Sequence, residues 1–143
     1  MINKIYIVNG PNLNLVGRRE PEIYGTTPVD EYIDSIRGGF LMAQIDYYQS
    51  NHEGDLIDYL QDHGFEEHSG IVLNAGALTH TSIALRDTIA AIAVPVVEVH
   101  ITDISKREAF RKHSYVTDVC IESIIGKGLE GYRMAIDRLL EEQ

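Results

Sequence analysis

A loop that carries two arginines and a tyrosine follows the first apolar run of the chain, Ile5–Val8. A tyrosine ionises near pH 10, so forming its phenolate at pH 7 costs about 4 kcal/mol, but a neighbouring guanidinium favours the ionised form. Arg19 with Tyr24 is therefore a candidate general base. A solvated cluster of ion pairs with Glu20 and Glu22 is the alternative interpretation of the same loop.

A glutamate and a histidine lie two residues apart at the end of a later apolar run, as Glu98 and His100. In a strand, residues two apart point to the same side, so this carboxylate and this imidazole can touch. A carboxylate stabilises the imidazolium and orients it, as a proton donor to a leaving hydroxyl requires. A polar pair without chemical function is the alternative.

These residues need a scaffold, and the pattern of the chain predicts one. Apolar runs predict strands at residues 5–8, 45–49, 71–73, 96–99 and 116–121. Helical periodicity and capping residues predict helices at residues 29–40, 55–62, 82–92, 106–111 and 129–140. Alternating strands and helices indicate a doubly wound, flavodoxin-like α/β fold, in which a five-stranded parallel sheet carries helices on both faces. We expect residues 1–143 to form a single domain.

Three polar side chains follow three of the predicted strands. Asn12 follows the first strand after the turn at Gly10 and Pro11, Asn74 follows the third, and His100 follows the fourth. Ligands of open parallel sheets bind beyond the carboxyl ends of the strands. We therefore expect these side chains to meet at one edge of the sheet.

The composition excludes some classes of function. A net charge of −10 with only 12 lysines and arginines disfavours nucleic-acid binding, which needs clustered cations. The single cysteine, Cys120, forms no internal disulfide and is interpreted as a buried structural thiol. Apolar runs are too short for a signal peptide or a membrane helix, so a cytoplasmic protein without a membrane partner is expected.

Several motifs together resemble the type II 3-dehydroquinases over essentially the whole chain. The amino-terminal signature spans residues 9–25, reading NGPNLNLVGRREPEIYG. Further matches are LNAGA with THTS at 73–82, EVHI at 98–101, FRKHSY at 110–115 and GxGxxGY at 126–132. The resemblance implies reversible dehydration of 3-dehydroquinate to 3-dehydroshikimate, an anti elimination through an enolate in the shikimate route to aromatic amino acids. It also implies a homo-oligomer, with trimers assembled into a dodecamer.

The resemblance also assigns roles to individual residues. Those in the catalytic group are Tyr24 as base, Arg19 as the cation that ionises it, Asn12 as a partner of the enolate oxygen through a water, His100 as acid and Glu98 as its orienting group. Those in the substrate-binding group are Asn74, His80, Asp87, Ile101, Thr102 and Arg111. Among these, Asp87 is expected to face the site of a neighbouring subunit.

Two of the assigned residues have alternative interpretations, and four positions differ from the family pattern. His80 also suits a helix entrance, and Arg111 also suits a charge on a helix surface. Departures from the family pattern are Thr102 for serine, Ala75 for proline, Leu78 for an aromatic residue and Asp103 for asparagine. They bear on affinity more than on the type of reaction.

No metal or organic cofactor is expected. The ketone of the substrate already acidifies the neighbouring proton, and the six histidines show no paired metal-ligand spacing. The lysines lie in polar or terminal contexts, which disfavours a Schiff base. The alternative functions are a non-catalytic flavodoxin-like binding module and a hydro-lyase that acts on a related cyclic keto acid.

Overall fold

A parallel sheet forms the centre of the computed structural model, which describes residues 1–18 and 21–142. Within those residues the strands are β1 (Lys4–Asn9), β2 (Gln44–Gln49), β3 (Ser69–Asn74), β4 (Val96–His100) and β5 (Glu122–Ile125). The helices are α1 (Pro21–Tyr24), α2 (Val29–Ile36), α3 (Glu53–His63), α4 (Ile83–Ala91) and α5 (Glu130–Leu140). The strand order β2-β1-β3-β4-β5 is the flavodoxin-like winding, so the predicted fold is confirmed.

Both faces of the sheet are covered, because alternate residues of each central strand point to opposite sides. Ile5 and Ile7 of β1 pack towards α2 and α5, whereas Tyr6 and Val8 pack towards α3 and α4. All four side chains are almost fully buried. Each buried side chain of this size stabilises the fold by about 1.5–3 kcal/mol, which explains the unbroken apolar run of β1.

The predicted fifth strand is wrong in position. Residues 117–119 form a short 3-10 turn, and β5 begins only at Glu122. The hydroxyl of Ser114 accepts hydrogen bonds from the backbone amides of Val116 at 3.2 Å and Thr117 at 3.1 Å. This side-chain turn competes with extended pairing of the same segment. The apolar residue that suggested a strand, Val116, is instead buried against the α3–α4 side of the core.

The predicted helix at residues 106–111 is also wrong. Two short 3-10 turns, Ile104–Lys106 and Ala109–Arg111, replace it. Between them Arg107 and Glu108 are extended, with ψ angles of −174° and 153°. The carboxylate of Asp103 accepts from the backbone amide of Ser105 at 3.0 Å and so starts the first turn on its own. The interruption directs Arg107 towards the hydroxyl of Thr102, to which it donates at 3.3 Å.

The loops after β1 and β3 touch each other at Gly10. A Cβ atom on Gly10 would lie 2.4 Å from the carbonyl oxygen of Ala75, so only glycine fits there. The backbone amide of Gly10 also donates to the carbonyl of Asn74 at 2.8 Å. The close approach of two backbones, rather than an unusual backbone angle, therefore explains this glycine. The contact aligns the two loops that follow the central strands.

Candidate active site

A pocket opens at the carboxyl edge of the sheet, where the loops after β1, β3 and β4 converge. Its cavity volume is about 100 Å³. The residues that line it are Pro11, Asn12, Leu13, Val16, Asn74, Gly76, Ala77, His80, His100, Ile101, Thr102, Ile104, Arg107 and Arg111. Two arginines and two histidines thus face a small space with an apolar floor, an environment that suits a compact, polar and anionic ligand.

Glu98 and His100 form a buried pair at the end of β4. The Nε2 atom of His100 lies 2.5 Å from the Oε2 atom of Glu98, and the two residues are 5% and 1% exposed. Residues two apart in a strand share one side of the sheet, so the contact follows from the strand itself. Because Nε2 is engaged by Glu98, the Nδ1 atom of His100 remains for a ligand in the pocket.

Three hydroxyl groups complete the surroundings of the Glu98 carboxylate. Thr117 and Ser123 donate to Oε1 at 2.7 Å and 2.6 Å, and Ser114 donates to Oε2 at 3.1 Å. Burial by itself would raise the pKa of Glu98, but the hydrogen bond and the charge of His100, together with the hydroxyls of Ser123 and Thr117, outweigh it and hold the pKa below its usual range. The carboxylate is therefore anionic at neutral pH, and each of its oxygens accepts two hydrogen bonds.

This arrangement supports proton donation from the His100 ring. The fixed carboxylate beside the imidazole accepts a hydrogen bond from its Nε2 atom and sets the plane of the ring. The hydroxyls stabilise the anionic form of Glu98, which keeps the shared proton on the histidine side of the pair. His100 also lines the pocket, which is the position that general acid catalysis requires of a proton donor.

Asn12 lines the pocket from the loop after β1. Its backbone has a φ angle of 69°, in the left-handed region that asparagine tolerates better than most residues. Its backbone amide donates to the Oδ1 atom of Asn51 at 3.0 Å. Gln49 donates to that same atom at 3.1 Å and to the carbonyl of Gly10 at 3.1 Å. The amide side chains of Gln49, at the end of β2, and Asn51, just after it, therefore hold the loop that contains Asn12.

The remaining polar side chains form the rim of the pocket. The Nδ1 atom of His80 lies 2.6 Å from the carbonyl oxygen of His113. Burial lowers the pKa of His80, although that carbonyl partly opposes the shift. Arg111 donates to Glu108 at 2.5 Å and also lines the pocket. The two interpretations of Arg111, as a surface charge and as a pocket residue, therefore both describe real contacts.

A family model described as Dehydroquinase class II matches residues 3–140 of the chain. The chain belongs to this family. A 3-dehydroquinate dehydratase from Halothermothrix orenii is 48% identical over 141 residues, which cover 97% of this chain and 95% of the relative. The catabolic 3-dehydroquinase of Podospora anserina is 43% identical, with 96% and 93% covered. The crystal structure of type II dehydroquinase from Butyrivibrio crossotus superposes with a TM-score of 0.92 at 42% identity, covering 98% of this chain and 99% of that one.

The structure brings most of the predicted site residues of this class II dehydroquinase chain together. The pocket is lined by Asn12, Asn74, His80, His100, Ile101, Thr102 and Arg111, with Glu98 directly behind His100. Asp87 lies elsewhere, on the exposed face of α4. Arg19 lies outside the described residues, and so does the side chain of Tyr24, whose backbone ends α1.

Sequence reasoning missed the hydroxyls around Glu98 and the contribution of Arg107. Thr117 lies in the segment where the sequence predicts the fifth strand, which in the structure begins only at Glu122, and the apolar pattern assigns no role to Ser123. Ser123 is the register partner of Glu98 in the neighbouring strand, and a polar residue inside a covered strand was the available signal. Arg107 falls inside the helix that the sequence predicts at residues 106–111, whereas in the structure its backbone is extended and its side chain lines the pocket.

Residues 1–18 and 21–142 contain neither a cluster typical of a metal site nor a helix typical of a membrane span. In that part of the chain no group of three or more His, Cys, Asp or Glu side chains is placed to hold a metal ion. Among the same residues no helix is both long enough and apolar enough to cross a membrane.

Proposed function

We propose that the protein is a 3-dehydroquinate dehydratase of type II, a hydro-lyase that converts 3-dehydroquinate to 3-dehydroshikimate and water. The observation that carries the proposal is the buried Glu98–His100 pair, whose 2.5 Å contact and hydroxyl partners prepare an acid at the edge of a small polar pocket. Membership of the class II dehydroquinase family supports the choice of substrate, since its relatives carry that activity in their names.

The reaction removes a proton from the carbon beside the ketone and a hydroxyl from the carbon bonded to that one, so that a double bond conjugated with the ketone forms. In our proposal Tyr24, ionised by Arg19, takes the proton in an anti elimination. The electron pair of the broken C–H bond forms the carbon–carbon double bond of the enolate while the π pair of the carbonyl moves to the ketone oxygen, which Asn12 stabilises through a water. As the enolate collapses, the C–O bond breaks and His100 donates its proton to the departing hydroxyl, which leaves as water.

Substrate binding is assigned to the remaining groups of the pocket. The backbone amide of Ile101 and the hydroxyl of Thr102 suit the substrate carboxylate at the end of β4. Asn74 and His80 suit the substrate hydroxyls or its carboxylate, and Arg111 suits the ring hydroxyls. The positions of all five residues along the pocket support these roles. The methyl group that distinguishes Thr102 from serine leaves the hydroxyl in place, where it accepts from Arg107 at 3.3 Å.

Assembly and cellular context also belong to the proposal. Asp87 lies on an exposed helix face away from the pocket, as expected for a residue that completes the site of a neighbouring subunit. We propose a homo-oligomer of trimers arranged as a dodecamer on the basis of the resemblance to the type II 3-dehydroquinases, and the exposure of Asp87 is compatible with a contact between subunits. A biosynthetic role in the cytoplasm is proposed as well, although the Podospora anserina relative is named as a catabolic enzyme.

Ultraviolet absorbance tests the activity directly, because the product carries a conjugated enone that the substrate lacks. Addition of 3-dehydroquinate to the purified protein should produce an absorbance rise that scales with the amount of protein. A matched run with His100→Gln should rise far more slowly. No rise with ample wild-type protein would leave the fold and remove the function, and turnover of another cyclic keto acid alone would favour the related hydro-lyase.

Replacement of Tyr24 tests the assignment of the base. Tyr24→Phe removes the ionisable oxygen but little volume, so the fold and substrate binding should persist while kcat falls by about 100-fold or more. Calorimetric titration with product and the enone assay would measure the two properties on one preparation. Near-normal turnover in Tyr24→Phe would show that another group removes the proton.

Borohydride reduction separates this mechanism from one that uses a Schiff base on a lysine. Lys4 lies at the opposite edge of the sheet, 3.5 Å from Glu66, and Lys106 is 83% exposed, so neither is a desolvated amine in the pocket. Treatment with substrate and borohydride should leave activity intact. Inactivation with covalent labelling of any lysine would overturn the proposed role of Tyr24.

A further inference from the structure

A continuous run of hydrogen bonds connects helix α5 to the pocket. The backbone amide of Gly76 donates to Oδ1 of Asn74 at 3.2 Å, and Nδ2 of Asn74 donates to the hydroxyl of Tyr132 at 3.0 Å. That hydroxyl donates to Oδ1 of Asn9 at 2.9 Å, and Nδ2 of Asn9 donates to the hydroxyl of Tyr47 at 3.1 Å. One tyrosine from the last helix thus joins the ends of β1 and β3.

The backbone amide of Gly76 fixes which group donates and which accepts in every hydrogen bond of this run. A backbone amide only donates, so the atom of Asn74 that faces Gly76 must be the oxygen. The nitrogen of Asn74 then faces Tyr132, whose oxygen accepts and whose single proton is left for Asn9. Reversal of the Asn74 amide would place two donors against each other at Gly76 and lose the donor that Tyr132 accepts. Only one orientation of Asn74 satisfies the run.

Burial raises the cost of any other orientation of the Asn74 amide. Asn9 and Tyr132 are 0% exposed and Asn74 is 3% exposed, so water does not replace a lost partner easily. Burial raises the pKa of the Tyr132 hydroxyl, which therefore remains protonated and keeps both its donor and its acceptor role at neutral pH. A hydroxyl is suited to this position because it accepts from one side-chain amide and donates to the other.

Asn74 lines the pocket, whereas Tyr132 does not. After its bonds to Gly76 and Tyr132, the Asn74 amide retains one N–H and one oxygen lone pair for a ligand. We propose that Tyr132 is a positioning residue that sets which of these groups Asn74 presents to the hydroxyl or carboxylate oxygens of the substrate. The proposal rests on the proposed function, because its readout is the binding of that substrate.

The variant Tyr132→Phe removes the hydroxyl and keeps the ring that fills the core. KM for 3-dehydroquinate should rise about tenfold, the scale of one hydrogen bond, while kcat changes by less than about threefold. The matched control is Tyr47→Phe, which removes the hydroxyl at the far end of the run without touching Asn74. KM of this control should stay within about twofold of wild type.

A double-mutant cycle with Asn74→Ala makes the test decisive. If Tyr132 acts through Asn74, adding Tyr132→Phe to Asn74→Ala should change KM by less than about twofold, although it raises KM about tenfold in the wild-type background. Equal effects in both backgrounds would overturn the proposal, as would a Tyr132→Phe protein with a lowered melting temperature and unchanged KM.

The experiments distinguish failure of the proposed function from failure of the proposed role of Tyr132. Absence of turnover by the wild-type protein would overturn the proposed function and this proposal with it, whereas turnover combined with independent effects in the cycle overturns this proposal alone. If Tyr132→Phe does not fold, 3-fluorotyrosine at position 132 keeps the shape and weakens the oxygen as an acceptor. A rise in KM of about twofold or more at constant kcat then supports the proposal, and an unchanged KM contradicts it.

Discussion

Two glutamates of this chain lie beside a histidine and a hydroxyl group, at opposite edges of the sheet. Glu98, at the carboxyl edge, contacts His100 at 2.5 Å and is 1% exposed. Glu66, at the amino edge, contacts His63 at 2.8 Å and accepts a short hydrogen bond from the Tyr6 hydroxyl, but its side chain is 36% exposed. The same types of group thus occur in two very different surroundings.

The two pairs differ in what the histidine faces, and the proposed role of His100 as an acid depends on that difference. The ring of His63 stacks on Tyr6 at 4.2 Å and lies against Tyr59 at 4.5 Å, so aromatic packing occupies it. His100 instead faces the pocket. The hydrogen bond from Tyr6, with that from His63, lowers the pKa of Glu66 to about 2, so a lowered carboxyl pKa marks both pairs and distinguishes neither.

The largest expected difference between the two pairs lies in turnover. His100→Gln should lower kcat by about 100-fold to 10,000-fold, since it removes the proton donor, and His63→Gln should leave kcat within about twofold. The enone assay at saturating 3-dehydroquinate measures both. Comparable losses in the two variants would mean that His100 acts through the fold rather than as an acid.

The hydroxyl partners of the two glutamates provide a finer test. Thr117→Val keeps the shape of the side chain but removes a donor to Glu98, and we expect kcat to fall about tenfold because the carboxylate holds the imidazolium less firmly. Tyr6→Phe removes the donor to Glu66 and should not change kcat. If both variants keep wild-type kcat, the hydroxyls around Glu98 serve stability alone.

The smallest effect concerns stability in acid. Both glutamates have a folded-state pKa below the unfolded value, so each contributes stability that is present above the unfolded pKa and is lost as the pH falls towards the folded one. Free energies of unfolding measured between about pH 5 and pH 2 should therefore decline less steeply in Glu66→Gln and in Glu98→Gln than in wild type.

A high salt concentration should separate the contribution of Glu66 to stability in acid from that of Glu98. At about 1 M salt the effect of Glu66→Gln on the slope should vanish, because solvent and ions screen a half-exposed cluster, while that of Glu98→Gln should persist. Loss of both effects in high salt would contradict the view that Glu98 is shielded from solvent.

Elements with strong local patterns were predictable. The β1 run and the helix after Ser82 follow from short-range rules, and the hydroxyl of Ser82 does accept from the backbone amide of Leu85 at 2.9 Å. The Glu98–His100 contact was predictable too, because a strand places residues two apart on one side. Residues 106–121 were not, because side-chain bonds there override weak apolar and helical patterns.

By itself the sequence determined the alternation of strands and helices, the parallel sheet and the edge at which polar groups gather, since these depend on periodicities that are local in the chain. The tertiary structure alone decided which groups complete the site. Ser123 reaches Glu98 from a neighbouring strand, and Tyr132 reaches Asn9 across 123 positions of the chain. No spacing in the sequence records such contacts, because they exist only once distant segments are packed together.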